Sequence, residues 1–298
     1  MEAVRAVLAT GTTTQAAAVM GVTQSAVSRL VSQLEDDLGF ALFDRRRGRL
    51  IATPEGLEFF QVADRILADI DRLRDTAAGI RAQGTRTLRI VAMPAIGVGM
   101  LPGPLTRLIA ARGDVRIAVD LKSRGELEAA VAEGRYDLGL ATLPVVHPGL
   151  AVEPLASVRA VLIAPPGHRF AGRDGISVAD LDDEPMAALS TDTILRHRLE
   201  ALCAAHGVRP RLVVEAQSTI LIANMVARGL GVALVHPFVA EQYRGRVATA
   251  AFEPEIGISY GLVFPQAGPR LRLVEEVAAA IREAFAGLTA AERAGARS

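Results

Sequence analysis

The chain has 298 residues, more than one typical domain holds, and half of them are hydrophobic without any uninterrupted apolar run long enough to span a membrane. Its formal net charge is zero, which excludes a general polycation and requires any attraction to nucleic acid to come from local geometry. The single cysteine, Cys203, reads as a buried small hydrophobe and excludes an intrachain disulfide or a multi-cysteine metal site; no secretory leader is read at the amino end.

In chain order, Thr12 reads as the cap of a short helix, with Gln15 completing a capping box and Ala16, Ala17, Val19 and Met20 forming an apolar side. Gly21 ends that helix. Thr23 caps the next, in which Val27, Leu30, Val31, Leu34 and Leu38 recur at helical spacing and are expected in a core. The opposite face carries Gln24, Ser25, Ser28, Arg29 and Ser32. With Thr23 these are candidate DNA-reading residues. Short hydroxyls let a helix approach the duplex closely, and Gln and Arg reach base edges with paired donors and acceptors. After Phe40, residues 41–43 and 50–52 are expected to pair across a tip holding Arg45, Arg46, Arg47, Gly48 and Arg49. Such a wing presents four guanidiniums to phosphates or to the adjacent minor groove. Alone, this charge run reads equally well as a solvated turn; beside a capped helix pair it reads as a DNA contact.

Residues 54–82 are predicted to form one long helix, with Thr53 as cap, Pro54 at the first helical position and Gly84 beyond the last periodic residue. Phe59, Ala63, Ile66, Ile70, Leu73, Ala77 and Ile80 alternate spacings of four and three. That is the seam of a coiled coil, and it calls for a partner helix rather than packing on its own domain. A two-fold pair of winged units matches a two-fold DNA site.

From residue 85 on, strands and helices alternate. Strands are expected at 88–92, 115–121, 137–141, 160–164, 212–215, 232–235 and 258–264. A helix is expected after the first strand, to about 111, and others at 127–132, 194–206, 220–228 and 271–285, giving an α/β unit with a parallel sheet. Residues 290–298 are small and polar and read as a loose tail.

Ligands of open α/β sheets bind outside the carboxyl ends of the strands. Met93, Pro94 and Ala95, then Ser190, Thr191 and Asp192, then Gln217, Ser218 and Thr219 occupy such ends, and Pro237 is counted with them. Backbone N–H groups and small hydroxyls converging there suit a carboxylate, with Asp192 placed to pair with an ammonium group; each hydroxyl also has a plain role as a helix cap. Enzyme signatures are missing. Lys122 is the only lysine and follows no glycine-rich loop. Pro102 stands where the third glycine of a dinucleotide fingerprint belongs, and no Gly-x-Ser-x-Gly elbow occurs. His147, His168, His197, His206 and His236 lack close metal-ligand spacing. No catalytic residue, metal site or cofactor is therefore predicted.

The sequence resembles the LysR-type transcriptional regulators almost end to end. The residues that carry the resemblance are Ala16 and Ala17, the run Val22 to Arg29, Leu34 and Glu35, Leu38 and Gly39, Leu42 to Arg45, and Thr53 to Gly56. Ser25 stands where many members have proline, and Met1 arrives where members already have several residues behind them, so the first helix is expected to be short. The resemblance implies an α/β chain of three parts. These are a winged helix-turn-helix DNA-binding domain (1–53), a linker and dimerisation helix (54–84), and a two-lobed, periplasmic-binding-protein-like effector domain (85–289). Within the last, lobe I would comprise 85–162 and 265–289 and lobe II 163–264, with crossings near 162–165 and 263–265. It also implies promoter DNA, a small-molecule effector and the chain itself, as homodimer or homotetramer, as partners, with a cytoplasmic location and no membrane. The runs 92–95, 189–192, 213–218 and 229–232 look most like the branch that senses lysine-pathway metabolites and opines, which implies an amino-acid-like effector. A two-lobed solute-binding protein or an uncharacterised enzyme is the alternative reading.

Overall fold

The structure, a computed structural model, describes residues 1–46, 49–60, 62, 63, 66, 70, 87–113, 115–266, 268 and 270–295, without the side chains of 45, 46 and 290–295. The chain packs as two units, Met1–Gly84 and Thr85–Ser298.

The first unit opens with three helices, α1 (Glu2–Thr10), α2 (Thr13–Met20) and α3 (Gln24–Leu38). Each stops at a glycine in the left-handed region, and Gly21 (φ 66°) makes the sharp turn between α2 and α3. The Thr12 hydroxyl accepts from the Gln15 amide at 3.2 Å, and Thr23 does the same for Ala26 at 3.3 Å. The reciprocal half of the capping box differs from expectation: the Gln15 side-chain oxygen takes the Thr12 hydroxyl at 3.2 Å. Val4, Val7, Ala16, Ala17, Val27, Val31, Leu42, Phe43 and Phe60 form the core. Two predicted core positions face outward instead, Val19 at 72% exposure and Leu30 at 44%. Three short helices around so small a core cannot cover every apolar position of the stripe.

Strands β1 (Phe43–Arg46) and β2 (Arg49–Ala52) pair antiparallel with Phe43 opposite Ala52 and Arg46 opposite Arg49. The wing is thus present, but toward its tip β1 reaches three residues and β2 one residue further than expected, so Arg45, Arg46 and Arg49 lie in the ladder. Arg47 and Gly48 lie outside the described residues. Helix α4 follows at 54–60 and is helical again at 62, 63, 66 and 70. The Thr53 hydroxyl accepts from the Gly56 amide at 2.9 Å and donates to the Ala41 carbonyl at 2.8 Å. A Cβ on Gly56 would press into the Leu42 carbonyl oxygen, which explains a glycine at this turn of the helix. Leu73, Ala77 and Ile80 of the expected seam lie outside the described residues.

The second unit holds a five-stranded sheet in the order β4 (Ile117–Leu121), β3 (Leu88–Ala92), β5 (Leu138–Thr142), β13 (Gly257–Pro265), β6 (Leu150–Arg159). Strands β4, β3 and β5 are parallel, and β13 lies antiparallel between β5 and β6. Their connections are the helices α5 (Pro94–Met100), α6 (Pro102–Arg112) and α7 (Arg124–Ala132). The predicted single helix to 111 is broken at Leu101 because Pro102 has no N–H to return to the preceding turn. A four-stranded sheet runs β11 (Ala233–Val235), β7 (Val161–Ala164), β12 (Ala248–Glu253), β8 (Gly175–Ser177). The parallel pair β9 (Pro185–Leu189) and β10 (Arg211–Ala216) adjoins it through a bridge between Met186 and Val232. Helices α8 (Ile194–His206), α9 (Thr219–Val226) and α10 (Pro237–Gln242) complete this lobe.

The chain passes between the two sheets at 159–161 and again at 253–257. The expected crossing at 162–165 therefore overlaps β7 and the one at 263–265 falls inside β13, and residues 257–264 belong with the first lobe. Strand β13 is mostly apolar and buried, as a central strand requires, and its slots beside β5 and β6 lie in the first lobe. Helix α11 (Arg272–Gly295) runs ten residues beyond the predicted end at 285 and takes in most of the expected loose tail, since residues 286–295 are mainly alanine, leucine, glutamate and arginine.

Candidate functional site

On the first unit, α3 turns Val27 and Val31 into the core, and this leaves Thr23, Gln24, Ser25, Arg29 and Ser32 exposed and Ser28 half-buried. The six residues named from the sequence thus share one accessible side. The Gln24 amide donates to the Thr13 hydroxyl at 3.0 Å, tying the first turn of α3 to α2, and the Thr23 and Ser25 hydroxyls lie 3.1 Å apart. Glu35 accepts from the amides of Leu42 and Phe43 at 2.7 and 3.1 Å, which fixes the start of the wing against α3. One oxygen of this carboxylate is thus engaged by the fold. Arg49 is exposed on β2; Arg45 and Arg46 are placed by backbone alone.

On the second unit, a cavity of about 180 Å³ opens at the carboxyl ends of the strands. Met93, Pro94 and Ala95 line it from the end of β3, Asp192 from the start of α8, and Gln217 and Thr219 from the end of β10. Ser190, Thr191, Ser218 and Pro237, also named from the sequence, are not among the lining residues. Ser218 is the cap of α9 and accepts from the Leu221 amide at 3.2 Å; the cap of α8 is Thr193, whose hydroxyl accepts from the Arg196 amide at 3.3 Å. Asp192 therefore is not a helix cap. It stands exposed at the cavity with no hydrogen bond or ion pair among the described residues.

Sequence reasoning missed Ser123 and Arg124 after β4, Thr142 at the end of β5, Thr193, and His236 after β11. The same strand-end rule was available for four of these, since the strands before them were recognised. The Arg124 guanidinium donates to the Thr142 hydroxyl and to the Pro144 carbonyl, both at 2.6 Å, and lies 3.7 Å from Glu128. Thr142 in turn donates to the Met93 sulfur at 3.4 Å. His236 is buried, and desolvation pushes its imidazole down to about 4, so the ring is neutral at pH 7. Apolar walls are supplied by Ile96, Leu189, Ile194, Leu195 and Ile258. A small, mostly apolar cavity with one guanidinium and one carboxylate suits a zwitterion. Among the described residues no cluster of three or more His, Cys, Asp or Glu is placed to hold a metal ion, and no helix is long and apolar enough to cross a membrane.

The model for the bacterial regulatory helix-turn-helix protein of the lysR family matches residues 1–57, and the model for the LysR substrate binding domain matches residues 81–286. Regulatory protein NocR of Agrobacterium fabrum (strain C58) is 33% identical over 289 residues, 97% of this chain and 96% of its own length. The octopine catabolism/uptake operon regulatory protein OccR of Rhizobium meliloti is 34% identical over 252 residues, 85% of this chain and 84% of its own. The transcriptional activator protein LysR of Escherichia coli (strain K12) is 29% identical over 276 residues, 92% and 89%. The crystal structure of CbnR, a LysR family transcriptional regulator, shares the fold with a TM-score of 0.78 at 17% identity, covering 95% of this chain and 97% of that one. CbnR in complex with its target DNA gives 0.77 at 18% identity, covering 95% and 98%. With a helix-turn-helix unit and a two-lobed effector unit both matched, the chain belongs to the LysR family of DNA-binding transcriptional regulators, whose partners are promoter DNA, a small-molecule effector and the chain's own copies.

Proposed function

We propose that this regulator reads promoter DNA through the exposed side of α3 and the wing, pairs through α4, and is controlled by an amino acid or amino-acid derivative bound in the strand-end cavity. The observation that carries the effector class is the presence of both a guanidinium, Arg124, and a carboxylate, Asp192, on the wall of one cavity. Arg124 has five N–H donors, and its bonds to Thr142 and Pro144 leave others for a carboxylate. Asp192, with no described partner, matches an ammonium group. The octopine operon named for OccR supports the same class by likeness. The chain acts by binding, with no catalytic role, and works in the cytoplasm where its DNA is. An effector that binds one arrangement of the oligomer better than another shifts the population between them, and this alters the grip on DNA. Residues 1–53, 54–84 and the two lobes are taken as the parts of that device, assembled as a homotetramer.

Calorimetric titration with a panel of amino acids and neutral aromatic acids tests the reading. Amino acids are expected to bind the wild-type protein. Asp192→Asn is expected to lose at least about tenfold in affinity for them, the scale of a lost charged hydrogen bond, while the melting temperature of the unliganded protein stays unchanged because Asp192 caps no helix. Binding of the aromatic acids alone would sink the proposal.

A further inference from the structure

The cavity wall supplied by the second lobe contains two buried polar groups that the protein leaves without a described partner. His236, 7% exposed, places its Nδ1 against the Tyr260 hydroxyl and stacks on Phe238 with ring centroids 5.3 Å apart and planes 18° apart. Its Nε2, on the other side of the ring, has no partner among the described residues. Thr219, 5% exposed, is the first residue of α9, and its hydroxyl is likewise without a described partner. Both residues line the cavity. Buried polar groups are nearly always hydrogen-bonded, so two of them on residues that line one cavity point to a ligand that completes them.

A neutral imidazole carries one proton, and the hydrogen bond at one nitrogen decides where it sits. The phenol is the stronger acid and the imidazole nitrogen the stronger base, so Tyr260 donates to Nδ1 and the proton stays on Nε2. The Thr219 hydroxyl rotates freely and donates as well. We propose that His236 Nε2–H and Thr219 Oγ1–H form a neutral two-donor subsite for a second carboxylate of the effector, with Tyr260 as the positioning residue that fixes the imidazole tautomer. The proposal rests on the amino-acid reading of the cavity, in which Arg124 and Asp192 are engaged by the α-carboxylate and the ammonium group. A carboxylate presents two oxygens and accepts from both donors at once. A hydrocarbon there would strand two buried donors, and a cation would meet their positive ends. The effector is accordingly an α-amino acid bearing a further carboxylate, in its side chain or as a carboxyalkyl group on nitrogen.

Calorimetry on the full chain with the standard L-amino acids and their N-(1-carboxyethyl) derivatives tests this. At least one dicarboxylate, whether a derivative or aspartate or glutamate, is expected to bind about tenfold tighter than its monocarboxylate counterpart, the scale of discrimination set by paired buried donors. Thr219→Val and His236→Leu are each expected to remove most of that advantage, weakening the dicarboxylate more than the monocarboxylate, and Thr219→Ser to restore it. Dicarboxylates that bind no tighter, or variants that weaken both ligands equally, overturn the subsite while the amino-acid reading stands. Binding by no member of either set overturns the amino-acid reading and the subsite with it. Nitrogen NMR of the unliganded protein adds an independent arm: an Nε2-protonated His236 is expected in the wild type, with mixed tautomers in Tyr260→Phe, and an Nδ1-protonated wild-type ring overturns the donor assignment.

Discussion

His236 couples its place in the cavity to the stability of the second unit. An unfolded chain titrates this histidine near its ordinary value of about 6.5, whereas the folded one holds it down to about 4. Between those values the unfolded state binds a proton that the folded state refuses, so stability is complete above about pH 6.5 and falls as pH drops toward 4. Full depression corresponds to roughly 3 kcal/mol, at about 1.4 kcal/mol for each pH unit. Urea unfolding of the second-unit transition at pH 7 and pH 4 measures it. The wild type is expected to lose about that much more than His236→Leu, and equal losses would remove the burial argument. Arg29 offers a second test at this scale. It lies exposed on the side of α3 that the core does not use, so Arg29→Ala is expected to weaken a specific operator by about 1–3 kcal/mol while random DNA is barely affected. A gel shift in which both change alike would reject it as a base reader.

At the scale of elements, α4 shows why a partner is needed. Phe60 and Ala63 are buried, and Phe60 meets Phe43 with centroids 5.4 Å apart. Ile66 and Ile70 remain 57% and 40% exposed on the single chain. Ile70→Asp puts an unpaired carboxylate into the seam that these residues offer a second copy, so light scattering is expected to show dissociation and operator affinity to fall with it. An unchanged oligomer would refute the pairing. The helices were the legible part of the fold: caps and periodicity gave α2, α3 and both ends of α8. Four strands and α10 were not legible, for local reasons. Pro154 interrupts the pattern of β6 and is tolerated because β6 is an edge strand with a register shift there. Strand β12 is rich in alanine and β9 has no β-branched residue, so neither reads as a strand, and α10 spans only six residues. Of the cavity, six named residues line it and four do not. The hydroxyls of Ser218 and Thr193 went to capping, which a sequence shows equally well as ligand binding.

For the whole molecule, zero net charge makes DNA binding a local matter, which the proposed reading assigns to the wing and α3. Arg49, exposed on β2, is expected to meet a phosphate. Arg49→Ala should weaken specific and random DNA about equally and reduce the dependence of log affinity on log salt by about one. A loss confined to the operator would instead make it a base reader. The same sparing use of charge has a practical consequence in the second unit. Lys122 is the only lysine, its amide bonds to the Ala92 carbonyl at 3.0 Å, and it directly precedes Ser123 and Arg124 of the cavity wall. The chain therefore has a single side-chain primary amine, on a half-buried residue next in sequence to the wall of the strand-end cavity. An amine-reactive dye has only two amines to label, this one and the terminal amine, and the copy on Lys122 is expected to report ligand arrival optically with no engineered residue anywhere in the protein.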